Sequence, residues 1–346
     1  MPVLPPSDLS SRVISGPLRR ARGALLERSV VERTLDRASR RANLSGRFEL
    51  TDRSRGSDRL AIILAGYKPH LWELTLTRFE RFLPADVDVC VLSAGRRVPE
   101  LEAFAERRGW SYLSTRGNYL SLVQNLAIRA HPAARWIYKF DEDILITEGL
   151  CETLLDAYGR VRAEGRYWPG FVAPLINVNG YSYVPFLEYQ GIADGYVQRF
   201  GPLTHASGQI AATNDGEAAI WLWQHSIPFD EIAARMRAAP FQYSTVPHKF
   251  NIGAILLERS LWERIGGFRV RPPAGALGVD ESHLCKACIQ LSRAMLVSHN
   301  AFAGHFAFGP QDAAMRAVLP QLTPHMTLTA DGEPPPWRSD HAPDMT

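Results

Sequence analysis

The chain has 346 residues, of which 46% are hydrophobic and 22% are charged. These proportions are ordinary for a globular protein and argue against global disorder, and a net charge of +3 gives no reason to expect nucleic-acid binding. No run of residues approaches the roughly 20 apolar residues that cross a bilayer, and the first residues lack the pattern of a signal peptide. We therefore expect a cytoplasmic protein.

Residues 1–57 differ in charge from the rest of the chain. They contain twelve Arg, no Lys and six acidic residues, which gives them a charge of about +6. From about Leu18 to Ala42 the apolar residues recur near helical spacing, and Arg occupies most of the polar positions. We predict a basic helical N-terminal arm over residues 1–57. It is predicted either to pack on the body or on a partner subunit, or to lie peripherally on the inner face of an anionic membrane.

The body of the protein is predicted to begin at about Asp58 and to extend to residue 320. Short apolar runs alternate here with helical patterns, which predicts an α/β fold with a mostly parallel, Rossmann-like sheet and helices on both faces. Ligands of such sheets bind at the carboxyl ends of the strands, so the loops after these strands should share one crevice. The strands are predicted at Leu60–Ala65, Val87–Leu92, Trp110–Leu113 and Trp136–Phe140.

The second half of the chain has a less regular pattern. Thr147 is predicted to begin a helix that runs to about Ala163. Residues of about 165–245 are rich in aromatic side chains, Gly, Asn and Pro, and we predict that they form an irregular insertion within the body. Residues 321–346 are predicted to form a C-terminal tail. Two further strands are predicted at Phe250–Leu257 and Ala294–Ser298, and two further helices at Glu258–Ile265 and residues 280–292.

Three adjacent acids, Asp141-Glu142-Asp143, follow the predicted strand Trp136–Phe140 and precede another apolar run. Gathering these charges in a partly buried place is costly unless a cation neutralises them. Carboxylate oxygens suit Mg²⁺ or Mn²⁺, which usually keep open positions that phosphate oxygens can fill. The triplet therefore predicts a divalent-metal site, and a solvated acidic turn is the simpler alternative.

Four segments, taken in order, resemble the GT-A glycosyltransferases, and most closely the inverting enzymes of glycosyltransferase family 2. Leu60–Ala65 resembles the family's opening strand, and Tyr138–Asp143 resembles its DxD motif. Asn251–Phe268 resembles the acceptor segment that closes with Gly-Gly-Phe, and Asp280–Cys285 resembles the family's acidic helix start. The resemblance implies a metal-dependent enzyme with a GT-A fold. Such an enzyme moves a sugar, with inversion, from a nucleotide-sugar donor to the hydroxyl of a glycan or glycolipid acceptor.

The resemblance also implies a set of metal ligands. In the family the last Asp of the DxD motif coordinates the metal, and the first contacts the ribose or the metal. Asp143 is thereby the principal ligand and Asp141 its supporting partner. A histidine that follows the acidic helix start is a third ligand in many family members, and the count of positions points to His305, with His299 as the rival. Imidazole is a reasonable ligand for Mn²⁺.

An inverting transfer needs a base that takes the proton of the acceptor hydroxyl as its oxygen attacks the anomeric carbon, and a carboxylate can do this. By resemblance to the family's acidic pair, Glu281 is the predicted base and Asp280 the neighbouring alternative. Here the order of the acids differs from the family's pattern. The simpler interpretation is that both acids only favour the start of a helix by charge–dipole attraction.

The donor nucleotide is predicted to contact the loops after the first two strands of the body. Gly66 permits a close approach of the backbone to a ligand, and Tyr67 can stack on the nucleobase. Ser93 follows the second of these strands and is predicted to face the same crevice. The resemblance also implies that Asp141 contacts the ribose of the donor or the metal.

Two other functions use similar features. A nucleotidyltransferase shares such a sheet and a metal that bridges phosphates, but it would require a glycine-rich basic loop, which residues 66–69 supply poorly. A non-catalytic glycan-binding protein with a degenerate transferase fold is the other alternative. The presence together of Asp141, Asp143, Glu281 and His305 argues against it.

Overall fold

The computed structural model describes residues 40–271 and 273–328. Most of the predicted N-terminal arm and most of the predicted C-terminal tail therefore lie outside the described residues. Within the described ranges, no helix combines the length and the apolar character that a bilayer crossing requires.

The strands within these ranges form one sheet of ten strands, in the order β1-β4-β3-β2-β5-β9-β7-β10-β6, with β8 paired to β10. One end of the sheet comes from the first half of the chain, and the other end combines strands from both halves. The strands are β1 (Phe48–Thr51), β2 (Arg59–Leu64), β3 (Asp88–Ser93), β4 (Ser111–Thr115), β5 (Trp136–Asp141), β6 (Ile144–Ile146), β7 (Pro169–Ile176), β8 (Tyr243–Thr245), β9 (Ala254–Glu258) and β10 (Ala294–His305).

Six of the ten described strands run in the same direction, so the prediction of an α/β protein with a mostly parallel sheet is confirmed. β4, β3, β2 and β5 are neighbours and are all parallel. β9 runs antiparallel between β5 and β7, and β7 and β10 are again parallel. Parallel neighbours need long crossover connections, which the helices between β2 and β5 provide.

Helices cover both faces of the sheet, as predicted. The helices of the described ranges are α1 (Pro69–Phe82), α2 (Pro99–Arg107), α3 (Leu120–Ala130), α4 (Leu150–Glu164), α5 (Tyr183–Gln190), α6 (Ala193–Phe200), α7 (Ala211–Asn214), α8 (Gly216–Gln224), α9 (Phe229–Ala238), α10 (Arg259–Ile265), α11 (Val279–Gln290) and α12 (Asp312–Leu322).

Alternate residues of β2 point to opposite faces of the sheet, and each face is buried under its own cluster of apolar side chains. Leu60 belongs to the cluster that includes Val123 of α3. Ala61 belongs to the cluster that includes Leu154 of α4. A strand that is buried on both faces has a continuous apolar sequence, which explains why β2 was predictable.

The sheet begins at β1, ahead of the predicted start of the body at Asp58. β1 pairs antiparallel with β4 at the edge of the sheet. Just before β1, the side-chain amide of Asn43 donates to the carbonyl of Gly266 at 3.1 Å and its oxygen accepts from the backbone N–H of Val270 at 3.0 Å. The last residues of the predicted arm therefore pack directly on the body.

The predicted insertion over residues 165–245 contains a central strand as well as five short helices, α5 to α9. That strand, β7, lies between β9 and β10. Its Pro169, Gly170 and Pro174 interrupt the residue pattern that is typical of a strand, which explains why the sequence did not predict it. The region is therefore part of the central sheet and not only an addition to it.

The first residues of the predicted tail are also packed. Arg78 of α1 is fully buried and forms a two-pronged ion pair with Asp230, at 2.8 and 2.7 Å. Its Nε donates to the carbonyl of Met326 at 2.8 Å. This contact holds the chain after α12 against α1.

Candidate functional site

The acidic triplet lies at the carboxyl end of β5, where the sequence predicted it. Asp141 is the last residue of β5, and Glu142 and Asp143 form the turn to β6. β6 pairs antiparallel with the end of β10, with Ile144 opposite His305. This pairing brings His305 beside the turn, so the sheet topology itself assembles residues from distant parts of the sequence.

Asp143 and His305 face each other. His305 Nε2 lies 3.2 Å from Asp143 Oδ2, and His305 Nδ1 lies 2.9 Å from the carbonyl oxygen of Val178. Because a carbonyl only accepts, Nδ1 must carry a proton, and a neutral imidazole then turns the lone pair of Nε2 toward the carboxylate. Two such electron-rich atoms need a proton or a cation between them, so the pair is arranged to bind positive charge.

Lys68 supplies positive charge to Asp143 in this structure. Its Nζ forms an ion pair with Oδ2, the same oxygen that faces His305. Burial by itself would raise the pKa of Asp143, but the charge of His305, when Nε2 also carries a proton, and the charge of Lys68 outweigh burial and hold that pKa well below its usual range. The carboxylate is therefore ionised at neutral pH and available to a cation.

Asp141 is held by a different lysine. Lys139 Nζ lies 2.6 Å from Asp141 Oδ1 and donates to the carbonyl of Ile252 at 2.8 Å. Burial raises the pKa of Asp141 above its ordinary value, Lys139 opposes this shift, and the nearby charge of Asp143 adds to it. The side chain of Lys139 is 3% exposed and that of Asp141 is 37% exposed, so the lysine is a fixed internal counter-charge.

Glu142 stabilises the neighbouring loop. Its carboxylate accepts from the backbone N–H groups of Gly66 and Tyr67, both at 2.9 Å, and from the indole N–H of Trp72 at 2.7 Å. Gly66 has φ of +135°, which favours glycine at this position. The middle acid of the triplet therefore holds the loop after β2 and is not directed to a metal.

The two predicted base candidates differ in their surroundings. Asp280 is buried at the start of α11 and accepts from the side-chain amide of Gln124 at 2.8 Å, which ties α11 to α3. Glu281 pairs with Lys249 Nζ at 2.5 Å. Its second carboxylate oxygen accepts from the backbone N–H of Ile252 at 3.2 Å. Both acids thus have internal partners, and the charges of both act on Lys139, which pairs with Asp141.

One peptide segment joins Glu281 to Asp141. The N–H of Ile252 donates to Glu281, and the carbonyl of the same residue accepts from Lys139, which pairs with Asp141. The next residue is Gly253, where an added Cβ would come within 3.7 Å of Asp141 Oδ2. Through Ile252 and Lys139, the structure thus connects Glu281 to the region of the DxD aspartates and His305.

The predicted donor-contacting residues lie on the loops after β2 and β3. Tyr67 is 45% exposed, its hydroxyl donates to the carbonyl of Ala94, and the guanidinium of Arg96 lies 4.1 Å from the centre of its ring. Ser93 is fully buried, and its hydroxyl donates to the carbonyl of Ala65 at 3.1 Å. Tyr67 is thus accessible to a ligand, whereas Ser93 is inaccessible and connects the end of β3 to the loop after β2.

The structure separates the two candidate histidines. His305 lies beside Asp143, whereas Nε2 of His299 lies 3.1 Å from the hydroxyl of Ser244 in β8. Sequence reasoning did not assign a role to Lys68, whose position after β2 was visible but whose ion pair with Asp143 was not. This pair joins residues 75 positions apart.

The residues at this site fit a divalent ion only in part. Within residues 40–271 and 273–328, no group of three or more His, Cys, Asp or Glu side chains is gathered as a metal centre. Asp143 and His305 are together, and a carboxylate with an imidazole whose Nδ1 is held by a carbonyl suits Mn²⁺. An ion held by this pair would displace the ammonium of Lys68 and leave positions for other oxygen ligands.

Comparison with known proteins adds little to this geometry. No protein-family model and no curated protein sequence matches the chain. One solved structure that this chain matches is the mannosyltransferase PcManGT from Pyrobaculum calidifontis in complex with GDP-Man and Mn²⁺. It shares 14% sequence identity, with 81% of this chain and 65% of that chain covered and a TM-score of 0.43. The chain thus spans just under two thirds of that protein.

Proposed function

We propose that this chain is a metal-dependent glycosyltransferase with a GT-A fold, which moves a sugar from a nucleotide-sugar donor to a hydroxyl of a glycan or glycolipid acceptor, with inversion. One observation carries this proposal. Asp143 and His305, which are 162 positions apart, meet at 3.2 Å at the carboxyl end of a parallel strand, and the carbonyl of Val178 turns His305 Nε2 toward the carboxylate.

Asp143 and His305 would hold a Mn²⁺ or Mg²⁺ ion, with Asp141 as the supporting ligand. The bound ion supplies electrostatic stabilisation to the nucleoside diphosphate as it leaves. Lys68, once released from Asp143, carries a positive charge on a side chain that is 28% exposed and is free to reach phosphate oxygens. Lys139 remains buried and limits the negative charge of Asp141.

Glu281 is the proposed base. It takes the proton of the acceptor hydroxyl while that oxygen forms a bond to the anomeric carbon, and the bond from this carbon to the diphosphate oxygen breaks with its electron pair. Its side chain is 13% exposed and is oriented by the backbone N–H of Ile252. Asp280 is the weaker candidate, because it is buried, whereas Glu281 is only partly buried.

The donor nucleotide is proposed to contact the loop of Gly66 and Tyr67. The exposed part of the Tyr67 ring offers a surface for stacking, and Glu142 fixes the backbone of both residues. Ser93 contributes to the position of this loop through its bond to Ala65.

The metal site can be tested with a matched pair of histidine variants on β10. Mn²⁺ is titrated into the full-length chain, and free Mn²⁺ is counted by electron paramagnetic resonance. His305→Gln and Asp143→Asn should each weaken Mn²⁺ binding by about 10–100-fold or more, whereas His299→Gln should bind as the wild type does. Equal binding by the wild type and His305→Gln would refute the assignment.

The transfer itself is tested by screening nucleotide-sugar donors for thermal stabilisation in the presence of Mn²⁺. A ligand that binds only the folded chain raises its apparent stability. The donor found in this way is then used to measure turnover. If no nucleotide sugar stabilises the wild type with Mn²⁺, the proposed function is wrong even if the metal binds.

A further inference from the structure

A concave surface lies at the edge strand of the sheet, and its lining does not include the acidic triplet. It is an open groove with a volume of about 690 Å³, formed by the residues around the start of β1, the loop after β3 and the end of β4. Its charged lining side chains are Arg47, Arg96, Arg97, Arg116 and Glu49. Four cations and one acid make this groove strongly basic.

Most of this positive charge is not compensated. Arg97 pairs with Glu102 at 2.7 Å and with Glu49 at 3.3 Å, which accounts for the single acid of the groove. Arg47, Arg96 and Arg116 are exposed and have no carboxylate partner within the part of the chain that the structure describes. Guanidinium groups that share one concavity repel each other, and an anion between them removes that cost.

The backbone fixes where these arginines stand. Phe48 lies opposite Thr115 in the antiparallel pair of β1 and β4, and the N–H of Arg116 donates to the carbonyl of Arg47 at 3.3 Å, so these two residues face each other at the end of the pair. In the adjacent loop, Gly95 has φ of +78°, and a Cβ there would come within 2.9 Å of the backbone of Asn118. The groove is therefore shaped by close backbone packing.

The groove borders the candidate active site without including it. Arg96 lines the groove and lies over the ring of Tyr67, whose N–H is held by Glu142. The residues that hold Asp143 are different ones, namely Lys68 and His305. A ligand in the groove would therefore be a neighbour of the donor and would not compete for Asp143.

We propose that this groove is a second anion site, which binds phosphoryl groups separately from any diphosphate at Asp143. Guanidinium is planar and can donate two parallel hydrogen bonds to a phosphate, which makes arginine the preferred residue where oxyanions are bound in a defined geometry. All cations of the groove are arginines. The phosphoryl group would come from a phospholipid headgroup or from a soluble phosphate compound, and both present the same oxygens to the groove.

The test compares two double variants that lose the same charge. Arg47→Gln/Arg116→Gln removes two unpaired arginines of the groove. Arg166→Gln/Arg235→Gln removes two exposed arginines elsewhere, one just before β7 and one on α9, which packs against β10 at the opposite end of the sheet. Both are made in the full-length chain and measured in EDTA at low salt, with circular dichroism to confirm folding.

Two probes distinguish the two sources of phosphate. Inorganic pyrophosphate is titrated calorimetrically, and vesicles of phosphatidylcholine with or without phosphatidylglycerol are tested by sedimentation. The groove variant should bind at least one probe about tenfold more weakly than the wild type, and the control variant should change by less than about twofold. A loss confined to anionic vesicles assigns a lipid headgroup, and a loss confined to pyrophosphate assigns a soluble ligand.

Several results would overturn this proposal. The proposal is wrong if neither probe binds the wild type, or if the groove variant and the control variant bind the probes equally well. It is also wrong if Asp143→Asn abolishes pyrophosphate binding, because that ligand would then lie at the acidic triplet. If the groove double variant does not fold, Arg116→Gln alone replaces it, because this side chain lines the groove and is exposed. Since the measurement is made without metal or donor, its outcome is independent of the proposed transferase activity.

Discussion

Replacing Glu142 by Gln tests whether the middle acid of the triplet stabilises the loop after β2. The carboxylate accepts from Gly66, Tyr67 and Trp72, and the side chain is 7% exposed. In the least costly orientation, the new amide nitrogen faces the N–H of Tyr67, so one hydrogen bond is lost and the others no longer reach a charged acceptor. A hydrogen bond to a charged group contributes about 1.5–3 kcal/mol, so we expect a loss of about 2–3 kcal/mol in the free energy of unfolding.

The measurement is urea unfolding of the full-length chain in EDTA, and the slope of the unfolding free energy against urea concentration is compared between variants. Glu152→Gln on α4 is the matched control, because Glu152 is exposed and the chemical change is the same, and we expect it to cost less than about 0.5 kcal/mol. Mn²⁺ affinity should be within about threefold of the wild type in Glu142→Gln. A loss of stability no larger than that of the control would show that Glu142 does not hold the loop.

Three further predictions concern the charges around the site. Lys68→Met should strengthen Mn²⁺ binding without donor, about tenfold, because the ammonium no longer competes for Asp143. Asp143→Asn in EDTA should make the free energy of unfolding fall less steeply as the pH is lowered. Folding lowers the pKa of Asp143, so the stability that this carboxylate contributes is present above about pH 4 and is lost as the pH falls toward that lowered value. Glu281→Gln should reduce kcat at least 100-fold with little change in donor affinity, whereas Asp280→Asn should mainly reduce stability, by about 1–3 kcal/mol.

Each of these has a result that would contradict it. Unchanged or weaker Mn²⁺ binding in Lys68→Met, measured by electron paramagnetic resonance, would show that Lys68 does not compete with the metal. Equal slopes of unfolding free energy against pH below pH 5, in the wild type and in Asp143→Asn, would show that this carboxylate is not stabilised on folding. Full turnover in Glu281→Gln would remove it as the base.

The sequence predicted those parts of the fold whose pattern is local. β2 is a continuous apolar run because both of its faces are buried, and the positions of Asp141 and Asp143 after β5 follow from the strand pattern. Antiparallel β1 was missed because its four residues are only partly buried, which leaves a weak signal. The contact of His305 with Asp143 was reached only through a family resemblance, since no local pattern relates residues so far apart.

The parts of the site that could not be predicted are the charge pairs. Both Lys68 and Glu142 were visible in the sequence, but their partners depend on how loops after different strands meet at the edge of the sheet. Ser93 was predicted to follow the strand and to face the crevice, but it is the last residue of β3 and its buried hydroxyl donates to the carbonyl of Ala65. Asp280 and Glu281 are adjacent, and only their packing gives them different partners.

The backbone of Ile252 connects the proposed base to the proposed metal site. Its N–H steadies Glu281, and its carbonyl steadies the lysine that accompanies Asp141. The proposed base Glu281 and the lysine that pairs with Asp141 are thus hydrogen-bonded to the same residue. A displacement of Ile252 would therefore change both contacts. Substitutions at Glu281 and Lys139 should then give non-additive effects in a double-mutant cycle, because both side chains are hydrogen-bonded to the backbone of Ile252.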